Sequence, residues 1–298
     1  MIPIIFFGTH QFAAAILESV IKSGMFDIQP VVTMPDRPAG RNQELQKSSV
    51  KIIAEKYNLK IDQPPTLKNY ILPDDNYSLN IVVDYGMIIP QSIIEKPKYG
   101  SINIHPSALP KYRGASPIQS ALMAGEKETA ITIMLIDDQM DHGPILFQEK
   151  ITIEKDETFP DLYARLALRS SQLLLDVVPR YIEGKIRPIP QNHEMATFTK
   201  ILTREDGKMD FKEKNAEDIY NLYRGLTPWP GIYTIWNGKR LKLLKIIKSD
   251  KKIASGDLAV AGKQVFFGCK SGSIEILELQ LEGKKAMIAM EFANGFKS

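Results

Sequence analysis

Residues 101–110 read SINIHPSALP, and residues 131–143 read ITIMLIDDQMDHG. In the first stretch Ile102 and Ile104 alternate with Asn103 and His105, so a strand here points the two polar side chains from one face. Pro106-Ser107 forces the chain to leave the sheet at that point. The second run is apolar from Ile131 to Ile136, stops at Asp137-Asp138, and reaches Asp141 and Gly143. Two strand ends thus carry an amide, an imidazole and a carboxylate, the parts needed to stabilise an oxyanion and move a proton. The same pattern also fits a turn-capping Asn103, a satisfied half-buried His105 and a loop-opening Asp141.

The first half of the chain alternates strand-like and helix-like runs. Strands are expected at Ile4–Phe7, Pro30–Met34, Ile81–Asp84, Ile102–His105, Ile131–Ile136 and Ile151–Ile153. Helices are expected at Phe12–Ile21, Val50–Tyr57 and Tyr163–Val178, the last ended or kinked by Pro179. Such alternation predicts an α/β fold, an open and mostly parallel sheet covered by helices. Ligands on these sheets bind at the carboxyl ends of strands, where Asn103, His105 and Asp141 are all expected. Residues 183–206 hold two prolines and no sustained periodicity, and read as a linker. Beyond them come one helix, Ala216–Leu226, and short strands. Tyr233–Trp236 and Leu241–Ile247 flank Asn237-Gly238, a hairpin signal, and Gln264–Phe267 and Ser273–Leu279 continue the pattern. A small OB-type β-barrel fits, a fold that often binds nucleic acid.

The 298 residues suffice for two domains, and 44% hydrophobic and 24% charged content are those of a soluble globular chain. No apolar run approaches the roughly 20 residues that cross a bilayer. A strand-like run from Ile2 leaves no room for a targeting peptide, so a cytoplasmic location is expected. The one cysteine, Cys269, excludes an internal disulfide and paired-cysteine zinc sites. The net charge of +3 divides unevenly: residues 1–199 carry 20 Lys+Arg against 23 Asp+Glu, and residues 200–298 carry 18 against 12. A basic second half suits a polyanion such as RNA, and equally a lysine-rich solvated surface.

Several motifs bear on ligands. Ser107, Ala108, Leu109 and Pro110 form a loop whose main chain suits a flat heterocycle, and Arg113 could meet an anionic group. Pro35 to Ser49 reads as a long loop in which Arg37 and Arg41 could grip phosphates. Gly8-Thr9-His10 follows a strand but is not GxGxxG, so a dinucleotide site finds no support. Four histidines with no HxxxH or HExxH spacing give no metal motif, and no GxSxG elbow is present.

Together, Asn103-x-His105, the SALP loop and Asp141-x-Gly143 resemble the core of the 10-formyltetrahydrofolate-dependent formyltransferases. Within that superfamily the resemblance is to the methionyl-tRNA formyltransferases, over nearly the whole chain. It is carried by PDRPAGR at 35–41, KYRGASPIQ at 111–119, TREDGKMDF at 203–211, TPWPGIYTIWNGKRLK at 227–242 and EGKKAM at 282–287. Three positions depart from the family pattern: Ala108 stands for leucine, Asp84 for an apolar residue near the expected folate pocket, and His142 for threonine.

The resemblance implies a Rossmann-like formyltransferase domain over 1–185, a linker over 186–205 and an OB-like tRNA-binding domain over 206–298. It implies transfer of formyl from 10-formyltetrahydrofolate to the α-amine of initiator methionyl-tRNA by a monomer, without metal or membrane. Asn103, His105 and Asp141 are implied as catalytic, Ser107 to Pro110 as folate-binding, and Arg37 and Arg41 as tRNA-binding. The alternatives are a sibling enzyme acting on an amino-sugar nucleotide, a hydrolase of the same donor, and a non-catalytic RNA-binding module that kept the fold.

Overall fold

The computed structural model describes residues 1–39, 43–72 and 77–295, in two compact units. One comprises Met1–Gly114, Ala130–Ile151 and Tyr163–Phe198; the other comprises Ala115–Thr129, Thr152–Leu162 and the chain from Thr199 onward. In chain order the elements begin β1 (Ile2–Gly8), α1 (Gln11–Ser23), β2 (Phe26–Val32), β3 (Arg37–Ala39), β4 (Glu44–Gln46), α2 (Ser49–Lys56) and β5 (Ile61–Asp62). They continue β6 (Leu79–Val83), α3 (Gln91–Ile94), β7 (Ser101–His105), β8 (Arg113–Gly114), α4 (Pro117–Met123) and β9 (Glu128–Leu135). Then come β10 (Ile145–Thr152), α5 (Phe159–Ile182) and β11 (Phe198–Thr199).

Seven strands form one sheet in the order β10-β9-β7-β6-β1-β2-β5. The pairings β1–β2, β1–β6, β2–β5 and β6–β7 are parallel, and β7–β9 is antiparallel. The mostly parallel α/β sheet expected from the sequence is therefore present. Ile4 to Phe7 and Leu79 to Val83 are buried on both faces, as central parallel strands require. The chain leaves β1 toward β2 on one side and returns to β6 on the other. The sheet thus reverses its winding between β1 and β6, and the carboxyl ends of β6 and β7 open beside that point.

Four expectations shift, the simplest being the strand expected at Ile151–Ile153, which is the end of the longer β10 over Ile145–Thr152. β2 begins at Phe26 rather than Pro30, because Pro30 sits at a one-residue register slip between Ile4↔Ile28 and Phe6↔Val31, where its missing N–H costs no ladder bond. α5 runs through Pro179 to Ile182. Only its last turn lies beyond the proline, and Tyr181 ties that turn down by donating from its hydroxyl to the Tyr99 carbonyl at 3.3 Å. The expected loop over 35–49 contains a short hairpin, β3 paired antiparallel with β4 (Arg37↔Gln46).

In the second unit, α6 (Ala216–Leu226) starts at a capping box made by Asn215 and Asp218. β12 (Ile232–Trp236), β13 (Lys239–Ser249), β14 (Leu258–Ala261), β15 (Gln264–Gly268), β16 (Ser273–Leu281), β17 (Met287–Ile288) and α7 (Ala289–Gly295) follow. The strands form an antiparallel sheet in the order β12-β13-β16-β15-β14, with β17 on β16. Asn237 (φ 46°) and Gly238 (φ 73°) turn the β12–β13 hairpin, both in the left-handed region that such a two-residue loop needs. α4 packs on α6 so closely that a Cβ on Gly225 would lie 2.6 Å from Met123 Cγ. Along β13, Leu241, Leu243 and Ile246 face the core, while Lys239, Lys245 and Lys248 are exposed. Five of the eighteen Lys and Arg of residues 200–298 lie on this strand.

Candidate active site

β7 places Asn103 and His105 on one face, opposite Met134 and Thr132 of β9. The chain after β9 brings Asp141 over them. Two nitrogens approach Asp141 Oδ1: Asn103 Nδ2, which donates at 3.4 Å, and His105 Nδ1, which lies 3.5 Å away. Both separations are long for hydrogen bonds, so neither donor is saturated by the carboxylate. His105 Nε2 lies 3.0 Å from the Tyr112 carbonyl, which can only accept, so Nε2 carries the hydrogen and Nδ1 is the nitrogen left facing the carboxylate. The other carboxylate oxygen, Oδ2, accepts from the Gly114 N–H at 2.7 Å. His105 is buried at 5% exposure, so the pair interacts in a medium far less polarisable than water.

Asp141 adopts φ 51°, a left-handed conformation that a non-glycine residue enters at a cost of roughly 1–3 kcal/mol. Its surroundings hold it there. Gly143 passes so close to β9 that a Cβ would lie 2.0 Å from the Leu135 carbonyl oxygen. Gln191, buried, donates from Nε2 to the carbonyls of Asp141 (2.9 Å) and Gly143 (2.8 Å). Gln191 Oε1 accepts from Arg113 Nη2 at 2.7 Å, and the same Nη2 donates to His193 Nδ1 at 2.9 Å. His193 stacks on His142 with centroids 3.8 Å apart and planes within 5°. Loss of hydration, then the charges of His142 and Arg113, hold His193 below the usual histidine range, which matches a ring nitrogen that accepts from a guanidinium.

Arg113, which the sequence offers as a possible anion contact or as part of a surface turn, is buried at 3% and turned into this network. Gln191 was missed by sequence reasoning altogether. It lies 50 residues from Asp141 in a polar stretch, and no local spacing marks it.

The SALP loop is closed on itself by the protein. Ser107 is fully buried and donates from Oγ to the Lys111 carbonyl at 2.7 Å. The Ser107 carbonyl accepts from Thr132 Oγ1 (2.7 Å), that of Ala108 from the Lys111 N–H (3.0 Å), and that of Leu109 from Gln148 Nε2 (3.0 Å). Ala108 and Pro110 are half-buried and present the loop's outer edge, while Leu109 is buried.

Arg37 stands exposed on β3 at the hairpin; Arg41 lies outside the described residues. Asp36, just before the hairpin, accepts from Lys51 Nζ (2.6 Å) and Gln63 Nε2 (2.9 Å), and these contacts hold its carboxyl below the usual carboxylate range. Asp84 follows β6 at φ 45°, and its carboxylate pairs with His10 Nδ1 at 3.0 Å. It is therefore turned toward the start of α1. That hydrogen bond raises the His10 pKa above 6.5, so the pair stabilises the fold below pH 6.5 and this contribution fades as pH rises through the raised value. In an NMR titration His10 should show a midpoint above 6.5 that falls back in Asp84→Asn. An unchanged midpoint would show that another group sets it.

Among the described residues no three of His, Cys, Asp and Glu converge as metal ligands, and no helix is long and apolar enough to cross a membrane.

Residues 2–178 match the formyl transferase family, and residues 201–297 match the formyl transferase C-terminal domain. A methionyl-tRNA formyltransferase of Koribacter versatilis is 41% identical over 304 residues, covering 99% of this chain and 96% of that protein. One of Geobacter metallireducens is 40% identical over 299 residues, with the same coverage. Among solved structures, an N-formyltransferase of Helicobacter canadensis, in complex with folinic acid and dTDP-3-aminofucose, superposes with a TM-score of 0.68. It is 20% identical and covers 93% of this chain and 99% of its own, a likeness of fold.

Proposed function

The chain belongs to the methionyl-tRNA formyltransferases, a branch of the formyl transferase family, and on that premise we propose how its residues carry the reaction. The enzyme transfers a formyl group from a folate-derived donor to the methionyl group of charged tRNA. The donor in this reading is 10-formyltetrahydrofolate, which supplies the formyl carbon, and the acceptor is the α-amine of methionine on initiator tRNA. The observation that carries the reading is the convergence of Asn103 Nδ2 and His105 Nδ1 on one oxygen of Asp141.

Each residue then has a task. As the amine adds to the formyl carbon, negative charge gathers on the formyl oxygen. Asn103 Nδ2 and His105 Nδ1, both loosely held at 3.4 and 3.5 Å, donate to that oxygen. Because Nε2 stays committed to the Tyr112 carbonyl, a hydrogen on Nδ1 makes His105 an imidazolium, whose charge Asp141 offsets. Asp141 also takes the proton that the amine must lose, directly or through one water, and returns it to N10 as the oxyanion collapses and the C–N10 bond breaks, so that tetrahydrofolate leaves as the neutral amine and the methionine nitrogen keeps the formyl group. No step needs a metal.

The residues around the carboxyl ends of β6 and β7 suit a flat polar heterocycle. Among the described residues Tyr85 Oη is buried without a hydrogen-bond partner, and burial pushes this phenol up to about 12, so it remains a neutral donor in need of an acceptor. The closed SALP loop offers a rigid edge at Ala108 and Pro110 rather than a row of free carbonyls. Arg37 and Arg41 are proposed to meet the tRNA near its acceptor end, and the lysines of β13 its backbone, so binding should weaken steeply with salt. A cytoplasmic monomer with domains at 1–185 and 206–298 is part of the same reading.

The closest rivals in chemistry are transfer to an amino-sugar nucleotide and hydrolysis of the donor. Offered charged methionyl-tRNA, a dTDP-amino sugar or water alone, the purified protein should release tetrahydrofolate at a substantial rate only with the tRNA. Faster release with the sugar nucleotide, or without any acceptor, would replace the proposal with the corresponding rival.

A further inference from the structure

The trio at the end of β7 depends on a carboxylate whose own backbone is strained, and the surrounding residues show what holds it. Asp141 at φ 51° has no regular element on either side, so its position rests on specific contacts. Gly114 fixes one carboxylate oxygen, and Gln191 fixes the backbone by spanning the carbonyls of Asp141 and Gly143 with its two amide hydrogens. The orientation of that amide is determined by its partners. Reversing it would set Nε2 against the Arg113 guanidinium and Oε1 against two carbonyls, which puts donor on donor and acceptor on acceptor.

Gln191 is itself anchored. Ile189 forms a two-bond antiparallel bridge with Ile145, each N–H donating to the other's carbonyl at 2.8 Å. Further along, Thr197 accepts from the Arg113 N–H at its carbonyl (2.9 Å) and from the Tyr112 N–H at Oγ1 (2.8 Å). The segment 189–197 is thus buckled at both ends across the site. Tyr112, held by the same buckle, supplies the carbonyl that fixes His105 Nε2.

We infer that Gln191, oriented by Arg113, is a positioning residue that clamps the Asp141 loop in the conformation needed for proton transfer. The inference rests on the reading of Asp141 as the proton acceptor. The chemistry fits a clamp rather than a substrate contact: the side chain is buried at 6%, and both amide hydrogens and the amide oxygen are engaged by the protein. Small displacements of a reactive group cost large factors in rate, so releasing the clamp should act on turnover more than on binding.

Two substitutions in the full-length enzyme test it. Gln191→Glu keeps the contact with Arg113 but puts a carboxylate oxygen against the two carbonyls; Gln191→Met keeps the volume and removes all the polar contacts. Each should lower kcat by roughly 10- to 100-fold, with KM for the folate donor and for charged tRNA within about twofold. In an Asp141→Asn background, Gln191→Met should cost less than about twofold more, because its effect passes through Asp141. Near-parental kcat in either folded single variant overturns the inference, as does an undiminished penalty in the Asp141→Asn background. So do losses in both singles that merely track the folded fraction in a thermal melt. Near-normal turnover by Asp141→Asn alone would instead overturn the reading on which the clamp rests, whatever the Gln191 variants do.

Discussion

Asp141→Asn is expected to lower kcat for formyl transfer by roughly 10³- to 10⁴-fold, within the range for removing a general base that also supports an electrostatic donor. The substitution is nearly isosteric, and asparagine tolerates the left-handed conformation at φ 51° better than most residues. The side-chain carbonyl can still accept from the Gly114 N–H, so the loop should keep its course. What disappears is the charge that offsets His105 and the basic site for the amine proton. If the amide nitrogen takes the Oδ1 position, it sets donor against donor at Asn103 Nδ2 and offers a hydrogen to the Nδ1 lone pair of a neutral His105, so the second donor to the oxyanion is lost. Melting within a few degrees of the parent, with turnover nearly abolished, is the expected combination. Turnover within tenfold of the parent would remove Asp141 from the chemistry.

His105→Ala should be the next largest effect, a loss of about 10²- to 10³-fold, typical of deleting one preorganised donor to a developing oxyanion. This loss should fall on kcat rather than on either KM, since the interaction is made mainly in the transition state. His105 also satisfies the Tyr112 carbonyl, so the variant should lose stability by about 1–3 kcal/mol, readable in denaturant titration. Kinetics are therefore to be taken where both proteins are folded. A change confined to KM would assign His105 to binding instead.

The sequence disclosed these residues and their placement because strand periodicity is short-range information. Asn103 and His105 stand two apart in a run whose other members are isoleucines, and the sheet needs that alternation. α6 and the Asn237-Gly238 hairpin were equally legible, the first through its amphipathic spacing and the second because a two-residue turn needs positive φ at both positions. Pro30 and Pro179 misled for one reason: each was read by its local cost, and a register slip in one case and a tethered last turn in the other absorb that cost.

The support of the site was not legible. Gln191 reaches Asp141 across 50 residues and Arg113 across 78, and a glutamine in a polar stretch carries no periodic signal. A cation in a turn-like stretch suggests a surface position or an anionic ligand, but the hydrogen bonds of Arg113 are made inside. The composition of the SALP loop suggests available main-chain groups, whereas the carbonyls of Ser107 and Leu109 accept from Thr132 and Gln148 of β9 and β10. Asp84, a departure from the family pattern, lies toward His10, a contact 74 residues away in the chain.

The acceptor is decided by competition between two tRNAs. Purified protein, given 10-formyltetrahydrofolate and an equimolar mixture of methionine-charged initiator and elongator tRNA, should formylate the initiator species in strong preference. Equal formylation of both, or none of either while the donor is consumed, would contradict it.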